Sequence, residues 1–200
     1  MQEVISIVFK KILNDSMIGI YDNSLSKKEC ERVVQIFENS ESKTPGKLLF
    51  NNESVVNTSA KSDIELMGTR FNDGTEISQI IFNGVSKSFK KYREKYKLGL
   101  DSLCKWELVQ TYNVQKYDGE QDGYFAWHCE TGGGELQGRI IAWMIYLNDA
   151  KCGTDFLYYP SVRSKRGRCV IWPAGWTHTH RAVLPNRGLK YFATGWFHFE

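Results

Sequence analysis

Proline is scarce, with 4 in 200 residues, and no stretch is rich in it. A collagen-like or Pro-rich chain is excluded. No apolar run approaches the roughly 20 residues that a membrane-spanning helix needs. The opening stretch MQEVISIVFKKILNDS lacks the basic start and long apolar segment of a secretory signal. Cysteine numbers only 5, at positions 30, 104, 129, 152 and 169, and never as CxxC. An odd, scattered set reads as reduced thiols of a cytoplasmic protein rather than a disulfide framework. Excess charge is also lacking: 26 Lys+Arg face 23 Asp+Glu, a net +3. That balance gives no argument for nucleic acid as a partner, and the lack of a span gives none for a membrane.

What is present is core-forming material. Hydrophobic residues make up 42% and aromatics 14%, which excludes a disordered or coiled-coil chain. The length fits a single domain over 1–200. Its first part, 1–103, reads as a helical flank with outer strands; the second, 104–200, reads as the β-rich core. Ser26-Lys-Lys-Glu29 is a capping box, followed by an apolar stripe at Cys30, Val33, Val34, Ile36 and Phe37. A second helix opens around Asp73–Glu76, with Ile77, Ile80, Ile81, Val85, Phe89 and Tyr92 on one face. The lysines along it, from Lys87 to Lys97, read as its solvated face. The polar stretches 39–46 and 51–63 read as loops. After Cys104 short strands follow one another, at roughly 104–114, 124–129, 138–147, 154–159, 168–172, 178–184 and 189–198. Strands at this spacing predict a sandwich or barrel, with the helices packed outside it.

All 4 histidines lie in the strand-rich part. In a strand, residues i and i+2 share a face, so His128-Cys129-Glu130 would aim an imidazole and a carboxylate at one point. That is two-thirds of a facial triad, the open ligand set suited to Fe(II). A third ligand would come from Trp176-Thr-His178-Thr-His180, where strand parity does not separate His178 from His180. Lys190 sits among Val, Leu, Tyr, Phe and Ala, where an ammonium is costly to bury without an anion. A dicarboxylate co-substrate would supply one. If the turn between them holds an odd number of residues, His180 and Lys190 share a face of a hairpin.

Several of these residues fall in a recognisable order. Tyr117, Gly123-Tyr124, His128-Cys-Glu130, Arg139 through Tyr146-Leu-Asn148, Gly153-Thr-Asp-Phe156, His180, Gly188, Lys190 and Trp196 follow one another at set spacings. Over residues 105–198 this resembles the Fe(II)/2-oxoglutarate-dependent oxygenases, in particular the prolyl 4-hydroxylase-like branch. The resemblance implies a mainly β (α+β) fold, a double-stranded β-helix (jelly-roll or cupin-like) barrel flanked by N-terminal helices. It implies His128, Glu130 and His180 as iron ligands and catalytic residues. His180 is preferred over His178 because Gly188 and Lys190 then fall eight and ten residues beyond the histidine. It assigns Lys190 to the far carboxylate of 2-oxoglutarate, with Tyr117 as hydroxyl partner and Tyr112, Tyr146 and Thr154 as alternates. Two departures stand out: Glu130 replaces the usual Asp, and the loop from Tyr117 to His128 has an unusual length.

The implied activity is a dioxygenase that hydroxylates an amino-acid side chain, foremost a prolyl residue of a peptide or protein, with release of succinate and CO2. Its cofactors would be Fe(II), 2-oxoglutarate and O2, with ascorbate as an accessory. Trp127, Trp143, Trp172 and Trp176 would either line a peptide groove or fill the barrel core. The basic loop at Arg163, Lys165, Arg166 and Arg168 would greet an acidic partner or be solvated. The rival readings are a non-catalytic jelly-roll binding module and a structural Zn(II) site built on His128, His178, His180 and Glu130.

Overall fold

The computed structural model describes residues 15–50, 53–69, 75–103, 105–184 and 188–199. In chain order the elements are β1 (Gly19–Tyr21), α1 (Lys27–Asn39), β2 (Thr44–Pro45), β3 (Leu48–Phe50), β4 (Glu53–Val55), β5 (Lys61–Ser62) and β6 (Ile64–Thr69). Then come α2 (Glu76–Lys95), α3 (Lys97–Asp101), β7 (Trp106–Asp118), β8 (Gly123–Tyr124), β9 (Arg139–Tyr146) and β10 (Gly153–Phe156). The chain closes with β11 (Val162–Arg163), β12 (Cys169–Pro173), β13 (His180–Val183) and β14 (Leu189–Phe199).

The α1 helix starts where the capping box places it. The Ser26 hydroxyl accepts from the Glu29 N–H at 3.3 Å, and the Glu29 carboxylate accepts from the Ser26 N–H at 2.7 Å. Thr75 occupies the N-cap position of α2, and residues 70–74 of its expected opening lie outside the described residues, as does Cys104. A seven-stranded sheet runs in the order β1-β12-β9-β14-β7-β6-β2, and a three-stranded sheet in the order β11-β10-β13. Every pairing is antiparallel.

Alternation along the large sheet builds two cores. Tyr112, Val114, Trp143, Ile145, Ile171, Ala193 and Phe197 face α1 and α2, meeting Cys30, Val33, Phe37, Ile81 and Val85. Their neighbours Tyr117, Met144, Tyr146, Val170, Trp172 and Phe192 face inward, against Phe156 and Val162 of the small sheet. Each large apolar side chain fully buried in this way contributes about 1.5–3 kcal/mol. The fold is therefore mainly β, a jelly roll with helices on its outer face.

Several expectations change. The stretches 39–46 and 51–63 contain β2, β4 and β5, strands of two or three residues too short and polar to show periodicity. The expected strand 124–129 is only β8 plus a single bridge at His128. The strand expected from residue 178 starts at His180, because Trp176–His178 forms a 3-10 turn. His180 and Lys190 do not share a hairpin: β13 pairs with β10, while β14 pairs with β7 and β9. They come from opposing sheets and meet across the barrel. Three of the four basic loop residues pair internally, Lys165 and Arg168 with Asp22 and Arg166 with Glu31 and Asp149, while Arg163 is exposed. Trp143 and Trp172 are core, and Trp127 and Trp176 are exposed. Cys30, Cys129, Cys152 and Cys169 carry free thiols. Among the described residues no helix is long and apolar enough to cross a membrane.

Candidate active site

The triplet His128–Glu130 is held by backbone rather than by a continuous strand. His128 and His180 exchange both N–H···O=C bonds, at 3.0 and 2.8 Å, and the Glu130 N–H donates to the Ala174 carbonyl at 2.9 Å. The two histidine rings end with centroids 4.3 Å apart. Glu130 Oε1 lies 3.3 Å from His180 Nε2 and 3.9 Å from His128 Nε2. One ligand atom from each of the three residues falls within 4.8 Å of the others.

The tautomers follow from the hydrogen bonds. His128 donates Nδ1–H to the Ala126 carbonyl at 3.0 Å, and His180 donates Nδ1–H to the His178 carbonyl at 2.9 Å. A carbonyl only accepts, so each ring spends its Nδ1–H outward and turns an Nε2 lone pair inward. Burial, then the neighbouring His180, pushes the His128 imidazole down to about 4, so it is neutral. Burial opposes ionisation of Glu130, but the close His180 ring and the Arg139 guanidinium outweigh it and hold the carboxyl at about 2. Two imidazole lone pairs and a carboxylate facing one point suit a divalent cation, and an N2O set open on one side suits Fe(II). Tyr124 of β8 covers the His128 ring, stacked at 3.4 Å between centroids.

His178 takes no part. Its Nε2–H donates to the Ser16 carbonyl at 2.7 Å, Nδ1 accepts from the Thr177 hydroxyl, and the ring stacks on Tyr159. The 3-10 turn breaks the strand parity that made it equivalent to His180, and the four-ligand zinc set does not converge.

A cavity of about 520 Å³ opens from this cluster to Lys190. Lys190 is 1% exposed, and its ammonium donates to the Gly153 carbonyl at 2.9 Å. The rings of Phe192, Tyr117 and Tyr146 surround it at 4.7, 5.0 and 5.5 Å. Among the described residues no carboxylate pairs with it, and burial brings its pKa down to about 8. Gly153 lets β10 and β11 approach closely, since a Cβ there would meet the Val162 carbonyl oxygen at 2.0 Å. Gly188, which leads into β14, has φ +88°, a conformation that favours glycine. Thr154 lines the cavity, and its hydroxyl bonds the Tyr146 hydroxyl at 2.7 Å. Tyr117 also lines it, beside Lys190 in the β7–β14 register, and its hydroxyl accepts from the Tyr124 N–H. Tyr112 faces the helices instead and bonds the Ser78 hydroxyl. A buried ammonium without a paired anion, opposite an open ligand set, fits a dicarboxylate that spans the cavity.

Two contacts went unread in the sequence. The Trp196 indole N–H donates to Glu130 Oε2 at 2.8 Å, and the Arg139 guanidinium lies 3.6 Å from that oxygen and 3.6 Å over the Trp196 ring. Parity was the available signal, because Lys190, Phe192, Thr194 and Trp196 share one face of β14.

Against known proteins, the model of the 2OG-Fe(II) oxygenase superfamily matches residues 112–198. No curated protein matches by sequence. Among solved structures, the viral collagen prolyl hydroxylase of Paramecium Bursaria Chlorella virus-1, in its 2OG complex, has a TM-score of 0.65 at 16% identity. The match covers 94% of this chain and 98% of that one. A Pseudomonas putida prolyl-4-hydroxylase has a TM-score of 0.65 at 15% identity, covering 94% and 95%. A Trichoplax adhaerens prolyl hydroxylase, in complex with a hypoxia inducible factor peptide fragment, has a TM-score of 0.66 at 18% identity, covering 93% and 85%. Residues 112–198 thus match the 2OG-Fe(II) oxygenase superfamily, in a chain whose fold is shared with prolyl hydroxylases.

Proposed function

We propose that this chain hydroxylates an amino-acid side chain of a peptide or protein, with proline the favoured residue, converting 2-oxoglutarate and O2 to succinate and CO2. The observation that carries this reading is one cavity with an open His128–Glu130–His180 cluster at one side and, at the other, the buried Lys190 ammonium, which pairs with no carboxylate among the described residues. Held by the three ligands, Fe(II) supplies activation of O2 coupled to decarboxylation of the oxo acid. His128 and His180 contribute Nε2 lone pairs, and Glu130 contributes negative charge. Lys190 neutralises the far carboxylate of 2-oxoglutarate, while Tyr117 and the Tyr146–Thr154 pair bound its end of the cavity and exclude water. The proline preference draws on the prolyl hydroxylases that share the fold, one of them crystallised with a peptide. We infer a cytoplasmic enzyme from the odd, scattered cysteines.

The test is turnover of 2-oxoglutarate to succinate with Fe(II) and ascorbate. We expect His128→Ala and His180→Ala to abolish it and His178→Ala to keep most of it. Proline-containing peptides incubated with the enzyme should gain one oxygen atom by mass spectrometry. A protein that binds metal but neither binds nor consumes 2-oxoglutarate would be the non-catalytic module instead.

A further inference from the structure

We propose that Trp196, backed by Arg139, is the positioning residue that makes Glu130 a one-oxygen ligand and so keeps the rest of the coordination face open. The inference rests on the metal-site reading above. Glutamate is one methylene longer than aspartate and has one more rotatable bond. Its backbone is fixed by the Glu130 N–H to the Ala174 carbonyl, but the carboxylate could still swing or turn both oxygens inward. In this structure the two oxygens have separate tasks. Oε1 faces the imidazoles, at 3.3 and 3.9 Å. Oε2 accepts from the Trp196 indole at 2.8 Å, with Arg139 at 3.6 Å.

The clamp is assembled from rigid parts. Trp196 lies on β14 opposite Ala142 of β9, and Arg139 begins β9, so paired strands carry both groups. The guanidinium stacks on the indole at 3.6 Å, which limits the ring's freedom. The carboxylate is thereby tied at its far oxygen to groups that do not themselves reach for the cation. Groups that orient a ligand in this way typically change metal affinity about 10- to 100-fold when removed.

The experiment is a titration of the full chain, freed of metal, with Co(II), read by affinity and by the d–d absorption spectrum. Trp196→Phe keeps a ring for Arg139 but removes the N–H. Trp143→Phe is the control, because Trp143 is buried on the helix side and its indole N–H has no hydrogen-bond partner among the described residues. We expect Trp196→Phe to weaken Co(II) binding by about 10- to 100-fold and to shift the spectrum as Glu130 turns its second oxygen to the cation, while Trp143→Phe does neither. Unchanged affinity and spectrum in Trp196→Phe would overturn the proposal, as would equal losses in both variants. Should Trp196→Phe not fold, Arg139→Gln decides: a weaker site in the same direction supports the clamp, and an unaltered one overturns it. If the wild-type chain binds no divalent cation, the metal-site reading itself fails, a result distinct from all of these.

Discussion

At the scale of single residues, Lys190 makes the sharpest forecast. The unfolded chain holds its proton near the ordinary 10.5 and the folded one near 8. Burial of the charged form is thus a cost below pH 8, and this group makes folding more favourable as pH rises from 8 to 10.5. For the proposed binding of 2-oxoglutarate the sign reverses, because the dianion would pair with the ammonium. Calorimetric titration should show affinity falling above about pH 8, and Lys190→Met should remove that dependence. The same variant should weaken binding by about 2–5 kcal/mol, roughly 30-fold or more, with little effect on Co(II) affinity. Asp63 makes a second forecast. Both its oxygens are buried without a hydrogen-bond partner among the described residues, and Lys61 is 3.6 Å away. Burial outweighs that lysine and holds the carboxyl well above the usual range. A raised carboxyl favours folding below its unfolded pKa and loses this as pH rises. Asp63→Asn should therefore gain stability relative to wild type between pH 4 and pH 8 in denaturant titrations. The sequence displayed His128, Glu130 and Lys190 because their chemistry stands out among strand residues. It hid the Trp196–Glu130 bond, since polar partners distant in sequence leave no local periodicity, and it hid the burial of Asp63, because residues 51–63 read as a polar loop.

At the scale of elements, what was legible tracks the strength of local patterning. The α1 helix begins at its capping box, and the strands at 139–146 and 189–199 fall close to their expected bounds because long apolar runs mark them. Ser26→Ala should cost about 0.5–2 kcal/mol in a urea melt and leave 2-oxoglutarate binding intact, since α1 packs on the sheet face opposite the cavity. Short strands such as β2, β5 and β11 have two residues each and were not readable. The turn at Trp176–His178 was hidden for a different reason. Gly175 and the threonines permit it, but the Ser16 carbonyl, 162 positions away, and the Tyr159 ring help fix the His178 ring. Parity arguments hold where a strand is continuous and fail where one turn interrupts it.

At the scale of the whole molecule, the site exists because two sheets close on each other. The large sheet supplies Lys190, Tyr117 and Trp196, and the small sheet supplies His180 and Thr154. Ligands that bridge the sheets bind only the folded chain, so Co(II) with 2-oxoglutarate should raise the melting temperature more than Co(II) alone. Differential scanning calorimetry checks this, and Lys190→Met should erase the added increment. Which strands pair was not legible, because partner choice depends on loop paths rather than on any one segment. The strand β14 hydrogen-bonds to neighbours on both sides and presents Lys190 and Trp196 on the same surface, six positions apart. It therefore acts as a ruler between the anchor for one ligand and the brace for the other. A single inserted or deleted residue within that span would turn one of the two toward the helices, so natural or engineered changes of length are confined to either side of it.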